Sequence, residues 1–308
     1  MKLGEAAIIA GDAHPGLARE IAREAGVPLL PVAIESFADR ETRVRLEADA
    51  GGKDLYVVQP MSAPANERLM ALALISDAAR AAGAARVSAL IPYFAYARQD
   101  VRKLPGEPRS AQLVARLLAT AGIDRVVALE LHSPALESAF PMPFTHLLAD
   151  AVLLPAARER GYAIVSPDAG GLKRAQRYAA ALGAPLAVVA KTRTGPDVAV
   201  PLQVLGSVRG AECLIVDDMA STGRTIAGAT RALLAAGARE VHAMFVHAVM
   251  APGALERMRA AGVRRIVTTD SVRAVGERGV EVVSCASLFA GALRYVKSPR
   301  QQRNRLRR

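Results

Sequence analysis

One unit recurs four times in the sequence: an alanine-rich amphipathic helix, a glycine, and a strand of β-branched residues. It occupies residues 78–94, 117–133, 233–249 and 258–270. Glycine ends helices because it tolerates the left-handed conformation, and runs of valine and isoleucine are typical of strands. Strands that alternate with helices, each strand an apolar run, predict parallel sheets flanked by helices. The sequence therefore predicts an α/β fold.

Corresponding glycines of these units lie about half a chain apart, which predicts two similar α/β domains. Gly83 and Gly237 are separated by 154 residues in a chain of 308, a length sufficient for two ordinary domains. Either a duplication or an unrelated series of helix-glycine-strand units would produce this pattern. We place the boundary in a proline-containing irregular stretch, which gives a first domain, 1–146, a second, 147–296, and a basic tail predicted to be disordered, 297–308.

The high positive charge is largely a property of the tail. Lys and Arg number 40 against 29 Asp and Glu, for a net charge of +11. The last 15 residues carry seven basic residues and no acid, which leaves +4 for the rest of the chain. That value is ordinary for a protein that handles phosphates. We therefore predict nucleic-acid binding only as a weak, accessory property of the tail.

Nothing in the sequence indicates a membrane or secreted protein. No uncharged apolar run reaches the roughly 18 residues of a membrane helix, and the first residues do not resemble a secretory signal. The two cysteines, Cys213 and Cys285, form neither a disulfide framework nor a metal-binding spacing. We expect a cytoplasmic protein.

The clearest chemical signal is an acidic strand end that leads into a turn and a helix, residues 213–229. The phosphate loops of the two commonest nucleotide folds are absent, because no G-x-x-x-x-G-K-[ST] occurs and no two glycines lie two positions apart. Hydroxyls and N–H groups at a helix start suit a terminal phosphate. Asp217 and Asp218 suit the vicinal hydroxyls of a ribose or a magnesium ion. The alternative is an ordinary turn that only caps the helix, which explains less well why two adjacent acids lie at the end of a buried strand.

This segment resembles the ribose-phosphate loop of type I phosphoribosyltransferases and of ribose-phosphate pyrophosphokinases. Further matches to the second family occur in order along the chain, from residue 8 to about residue 296. They are ESFADRET (35–42), IPYFAYARQDVRK (91–103), ELHS (130–133, with Glu130 where the family has Asp), SPDAGGLKRA (166–175) and KTR (191–193). The ribose and catalytic loops look archaeal-like. The chain is thus identified by resemblance as a member of the pyrophosphokinase family, with two phosphoribosyltransferase-like domains.

The resemblance implies a magnesium-dependent transfer of the diphosphoryl group of ATP to O1 of ribose 5-phosphate, with release of AMP. It implies catalytic roles for Lys191 and Arg193, two cations on alternate residues at a strand end, which suit closure over phosphates. The residues implied for ribose 5-phosphate are Asp217, Asp218, Ser221, Thr222, Gly223 and Thr225. Those implied for ATP are Phe37, Asp39, Glu41, Arg98 and Gln99. The implied metal ligands are His132 and Asp168.

The resemblance also implies a homo-oligomer, because Phe37, Asp39 and Glu41 would reach adenine from a neighbouring subunit. Two departures from the regulated family members are notable. Arg224 replaces a glycine, which would strain the backbone if φ were positive there, and Pro105-Gly106 replaces a Ser-Arg pair of their allosteric phosphate pocket. The alternatives are a phosphoribosyltransferase, which would not need the ATP residues, and a catalytically silent regulatory paralogue.

Overall fold

The structure is a computed structural model that describes residues 6–158, 160–191, 202–273 and 279–296. Arg193 and the predicted tail lie outside these residues. The strands are β1 (Ala6–Ala10), β2 (Leu29–Leu30), β3 (Val32–Ser36), β4 (Thr42–Leu46), β5 (Asp54–Val58), β6 (Arg86–Ile91), β7 (Arg125–Leu129), β8 (Phe144–Leu147), β9 (Ala163–Ser166), β10 (Leu186–Lys191), β11 (Leu202–Leu205), β12 (Glu212–Ala220), β13 (Glu240–Ala248), β14 (Val263–Thr269) and β15 (Val280–Val283). The helices are α1 (Pro15–Ala25), α2 (Ala65–Ala81), α3 (Ser110–Thr120), α4 (Asp150–Arg158), α5 (Leu172–Leu182), α6 (Arg224–Ala235), α7 (Ala254–Ala260) and α8 (Ala286–Val296), with a 3₁₀ helix at Pro134–Ala139.

The described residues form two compact units. Unit 1 contains those within 1–148, 271–273 and 284–308, and unit 2 contains those within 149–270 and 274–283. Each unit is a mainly parallel sheet with helices packed on it, which confirms the predicted α/β fold class. None of the helices in the described part of the chain is long and apolar enough to cross a membrane.

The sheet of unit 1 has six described strands in the order β2-β1-β5-β6-β7-β8, all paired in parallel. The central strand β5 is buried along its whole length, as a strand covered on both faces must be. Strands β3 and β4 form a separate antiparallel hairpin. Because parallel strands end at the same edge, the loops after β6 and β7 lie side by side.

The sheet of unit 2 has seven described strands in the order β11-β10-β9-β12-β13-β14-β15, and β11 alone runs antiparallel to its neighbour. Strand β12 continues two residues beyond Asp218, the second of the two acids at which the sequence predicts the strand to end. The reason is that Met219 and Ala220 still pair with His247 and Ala248 of β13. The acids Asp217 and Asp218 therefore belong to the paired part of the strand rather than to the loop.

Helix α8 belongs to unit 1, whereas the predicted second domain, 147–296, included it. α8 packs against α1, and Phe289, Ala290 and Leu293 are buried. Nη2 of Arg294 donates to the carbonyl oxygen of Glu24 at 2.9 Å. The apolar face of α8 thus completes the cover of α1, a long-range contact that local sequence patterns do not encode.

A buried histidine near the amino end of the unit 2 sheet predicts a pH-dependent stability. His242 is 1% exposed, its ring lies 5.2 Å from that of Tyr162, and neither ring nitrogen has a hydrogen-bond partner. Burial lowers the pKa of His242 below its ordinary value of 6.5, although Glu240 and Glu212 oppose this shift. Because the unfolded chain then binds the proton more readily, the free energy of unfolding should fall as the pH drops through 6.5 and below.

We expect His242→Phe to remove this pH dependence, because phenylalanine keeps a ring beside Tyr162 and has nothing to protonate. Urea unfolding at about pH 8 should give similar stabilities for the two proteins. Between about pH 7 and pH 5 the wild type should lose more of its free energy of unfolding than the variant. Parallel losses in both proteins would contradict the assignment to His242.

Candidate active site

Two adjacent acids lie near the carboxyl end of β12. The side chains of Asp217 and Asp218 are only 15% and 7% exposed, and Nη1 of Arg174, from α5, lies 3.6 Å and 3.9 Å from their Oδ1 atoms. The backbone N–H of Asp218 donates to Oδ1 of Asp217 at 2.8 Å. Burial raises the pKa of Asp217 well above its ordinary range, the charge of Asp218 adds to the rise, and Arg174 opposes it. The result is a confined acidic pair that Arg174 partly neutralises.

The turn after these acids, which we call the β12–α6 loop (221–223), requires its glycine. Gly223 has a φ of 70°, and a Cβ there would lie 2.7 Å from the carbonyl oxygen of Ala254 and 3.1 Å from Cγ of Met258. Arg224 is the first residue of α6. The left-handed conformation therefore falls on Gly223, and the strain considered for Arg224 does not arise.

The β12–α6 loop and the first turn of α6 collect hydrogen-bond donors. The first N–H groups of a helix have no intrahelical acceptor and favour a bound anion. Ser221 is half-buried, whereas Thr222 and Thr225 are exposed. Two or three hydroxyls and several N–H groups at one helix start can together hold a phosphate. All predicted ribose 5-phosphate residues thus lie together in unit 2.

The first group of predicted ATP residues occupies the turn of the β3–β4 hairpin. The N–H of Phe37 donates to the carbonyl oxygen of Glu41 at 2.8 Å, and the N–H of Glu41 donates to Oδ1 of Asp39 at 3.1 Å. Phe37 is 51% exposed. A large aromatic side chain this exposed on a hairpin tip suits stacking on another flat group.

The second group, Arg98 and Gln99, follows β6, and both residues are exposed. Gln99 is held at three points: its N–H donates to the carbonyl oxygen of Tyr96 at 2.9 Å, its carbonyl oxygen accepts from the N–H of Ala111 at 3.3 Å, and its Oε1 accepts from the hydroxyl of Ser110 at 2.6 Å. Because Oε1 is engaged, Gln99 offers its amide NH₂ group, a donor, to any ligand.

The predicted metal and catalytic residues also follow parallel strands. In unit 1, the exposed His132 follows β7, the neighbour of β6. In unit 2, the exposed Asp168 follows β9, and its Oδ1 accepts from the N–H of Gly171 at 3.0 Å. Lys191 is the last residue of β10. Because β10, β9 and β12 are neighbours, Lys191 and Asp168 share one sheet edge with Asp217 and Asp218.

Comparisons with known proteins show the family of the chain. Residues 6–122 match the model for the N-terminal domain of ribose phosphate pyrophosphokinase, and residues 144–280 match the phosphoribosyl transferase domain. A ribose-phosphate pyrophosphokinase of Fusobacterium nucleatum is 37% identical over 295 residues, which cover 93% of each chain. One from Cereibacter sphaeroides is 38% identical over 94% of this chain and 91% of the relative. The chain belongs to the ribose-phosphate pyrophosphokinase family.

A solved structure supports the same family. The phosphoribosylpyrophosphate synthetase of Mycobacterium smegmatis superposes with a TM-score of 0.89 at 35% identity, over 95% of this chain and 98% of that chain. These matches confirm the family that the motifs indicated. They favour neither a phosphoribosyltransferase nor a catalytically silent paralogue. Members of this family are enzymes of nucleotide biosynthesis.

Three polar residues that contact the site were not among the predicted site residues. Arg174 lies within the motif SPDAGGLKRA (166–175), and only its distance to the acidic pair distinguishes it from its neighbours. Ser110 is the first residue of α3, after the N-cap Arg109, and its hydroxyl donates to Gln99; no motif indicated this contact. Arg257 on α7 donates from Nη1 to the carbonyl oxygen of Thr222, and no motif indicated it.

Proposed function

We propose that the chain transfers the β,γ-diphosphoryl group of ATP to O1 of ribose 5-phosphate, giving 5-phosphoribosyl 1-diphosphate and AMP. The observation that carries this proposal is the confined acidic pair of β12 beside the donor-rich start of α6. The acids suit two ribose hydroxyls, and the helix start suits the 5-phosphate. Family membership supplies the identity of the donor and acceptor.

The reaction is an in-line displacement at phosphorus. A bond forms between O1 of the ribose and the β-phosphorus, and the bond from that phosphorus to the α,β-bridging oxygen breaks to release AMP. Positioning and neutralisation of charge provide most of the rate in such transfers. We assign the neutralising role to Lys191 and Arg193. Arg98 and Gln99 would hold the ATP phosphates and adenine.

Magnesium fits the proposed site by the chemistry of its donors. Mg²⁺ prefers oxygen ligands and is usually bound by one or two carboxylates plus substrate phosphates. Among the described residues, no group of three or more His, Cys, Asp or Glu side chains could hold a metal ion. A magnesium site with one or two protein carboxylates does not require such a group. The carboxylate of Asp168 would hold the ion, which would neutralise phosphate charge when bound, whereas a ligand role for His132 is implied by the family resemblance alone. The Gly171 N–H bond keeps the carboxylate of Asp168 oriented.

Self-association is part of this proposal. The exposed Phe37, with Asp39 and Glu41 on the same hairpin turn, would complete the adenine site of a neighbouring subunit. A cytoplasmic location also belongs to it, supported by a sequence with only two cysteines, both buried, which is too few for a disulfide framework.

The test is AMP release by the purified chain with ATP, ribose 5-phosphate and Mg²⁺. We expect turnover that requires all three. Formation of a nucleotide from 5-phosphoribosyl 1-diphosphate and a free base, without the first reaction, would indicate a phosphoribosyltransferase. Binding of both substrates without turnover in either assay would indicate the silent paralogue.

Ser110→Ala should raise KM for ATP by about 3–10-fold with little change in kcat. Without the Ser110 hydroxyl, the Gln99 amide is free to rotate, and one hydrogen bond is worth about 1 kcal/mol. Ser110→Thr keeps the hydroxyl and is the matched control. Steady-state kinetics measure both constants, and an unchanged KM for ATP in Ser110→Ala would show that this contact does not serve ATP binding.

A further inference from the structure

We propose that Arg257 is a positioning residue that sets the orientation of the Thr222–Gly223 peptide for phosphate binding. This inference rests on the proposed function, because it concerns the site assigned to the 5-phosphate. We base it on the hydrogen bonds that the carbonyl groups at the β12–α6 loop accept.

Three successive carbonyl oxygens at this turn accept hydrogen bonds from one segment, residues 250–257. The carbonyl oxygen of Ala220 accepts from the N–H of Met250, and that of Ser221 accepts from the N–H of Ala251, both at 2.9 Å. The carbonyl oxygen of Thr222 accepts from Nη1 of Arg257. The carbonyls of Ala220, Ser221 and Thr222 therefore all face the β13–α7 connection and α7.

The direction of these carbonyls fixes the direction of the adjoining N–H groups. In a trans peptide the C=O and N–H of one unit point in opposite directions. The N–H groups of Ser221, Thr222 and Gly223 therefore point away from α7. A loop in this state presents donors on its ligand side and no carbonyl oxygen that would repel a phosphate.

The Thr222–Gly223 peptide depends on a side chain, unlike the two before it. Met250 and Ala251 donate from the backbone, so substitutions there keep those bonds. Glycine populates positive and negative φ about equally, so Gly223 would allow this peptide to turn over and direct the Thr222 carbonyl at the phosphate. The hydrogen bond from the guanidinium of Arg257 prevents that rotation. It also places a positive charge behind the anion site.

The experiment compares Arg257→Ala, Arg257→Lys and Arg257→Gln with the wild type. Arg231→Ala is the matched control, because it removes an exposed arginine of α6 on the same unit. We expect Arg257→Ala to raise KM for ribose 5-phosphate by roughly 10–100-fold, the range for a lost charge-assisted hydrogen bond. KM for ATP and kcat should change little. Millimolar guanidinium chloride should restore part of the loss in Arg257→Ala and have no effect in Arg231→Ala.

The outcomes separate the inference from the proposed function. Wild-type turnover with an unchanged KM for ribose 5-phosphate in all three variants would overturn the role of Arg257 and leave the function intact. An equal rise in KM for both substrates, together with a lower Tm and no relief by guanidinium, would show that Arg257 has a general structural role. That result would also overturn the inference. If the wild type releases no AMP, the proposed function fails. Calorimetric titration of ribose 5-phosphate into the same variants then tests the inference. A loss of affinity in Arg257→Ala of the size expected for KM supports it, and unchanged affinities overturn it.

Discussion

Replacing Gly223 by alanine should raise KM for ribose 5-phosphate by about 10²-fold or more. Two costs act on the same residue. A left-handed φ costs a residue with a Cβ roughly 1–2 kcal/mol, and the added Cβ would lie 2.7 Å from the backbone oxygen of Ala254. Since that oxygen belongs to the start of α7 and cannot rotate away, the loop itself must move. Displacement of about 1 Å at a binding site is sufficient for losses of this size.

A matched control separates the two costs. Gly210 also has a positive φ, 73°, but a Cβ there would meet nothing within 4 Å. Gly210→Ala should therefore show the conformational cost in its free energy of unfolding and leave KM for ribose 5-phosphate unchanged. Similar kinetics for both variants would mean that the close approach of α7 does not matter to the site.

Lys191→Ala and Arg193→Ala should each lower kcat by about 10²–10³-fold with little change in substrate binding. The proposed role of these cations is to meet charge that develops in the transition state, and loss of one such donor typically costs this much. Lys191 ends β10, whose neighbour β9 precedes Asp168 and pairs on its other side with β12, the strand of the acidic pair. Arg193 lies outside the described residues, so its role rests on the motif alone.

Steady-state and single-turnover kinetics check this prediction, with Arg231→Ala as the control for loss of one positive charge. If kcat stays near normal in both variants while KM for ATP rises, these residues bind ATP in the ground state. Lys191 and Arg193 would then contribute no specific stabilisation of the transition state.

The sequence predicted those parts of the fold that depend on local patterns. Apolar runs alternating with helices predicted the α/β fold, and the acids at the end of one such run predicted that Asp217 and Asp218 end a strand. The motif order predicted the family, which the comparisons confirm. The assignment of individual site residues stays a prediction, because no ligand contact tests it.

The features that the sequence did not predict depend on contacts between distant segments. Arg257 reaches Thr222 across 35 positions of the chain, and nothing in the residues around it distinguishes it from Arg259. The hydroxyl of Ser110 donates to Gln99, 11 residues earlier in the chain, and only the fold brings the two together. Likewise, the amphipathic pattern of α8 predicts a buried face but does not say which helix will cover it.

The position of α8 has a consequence for how the chain matures on the ribosome. The hydrogen bond between Arg294 and Glu24 joins residues 270 positions apart, and synthesis proceeds at about 5–20 residues per second. Once β8 has been made, the described sheet of unit 1 is complete, but the nascent unit still lacks the helix that covers α1 until α8 follows. Unit 1 therefore cannot finish folding before unit 2 has been made. We expect polypeptides that stop before α8 to be targets for chaperones and proteases, however well their active-site segments are preserved.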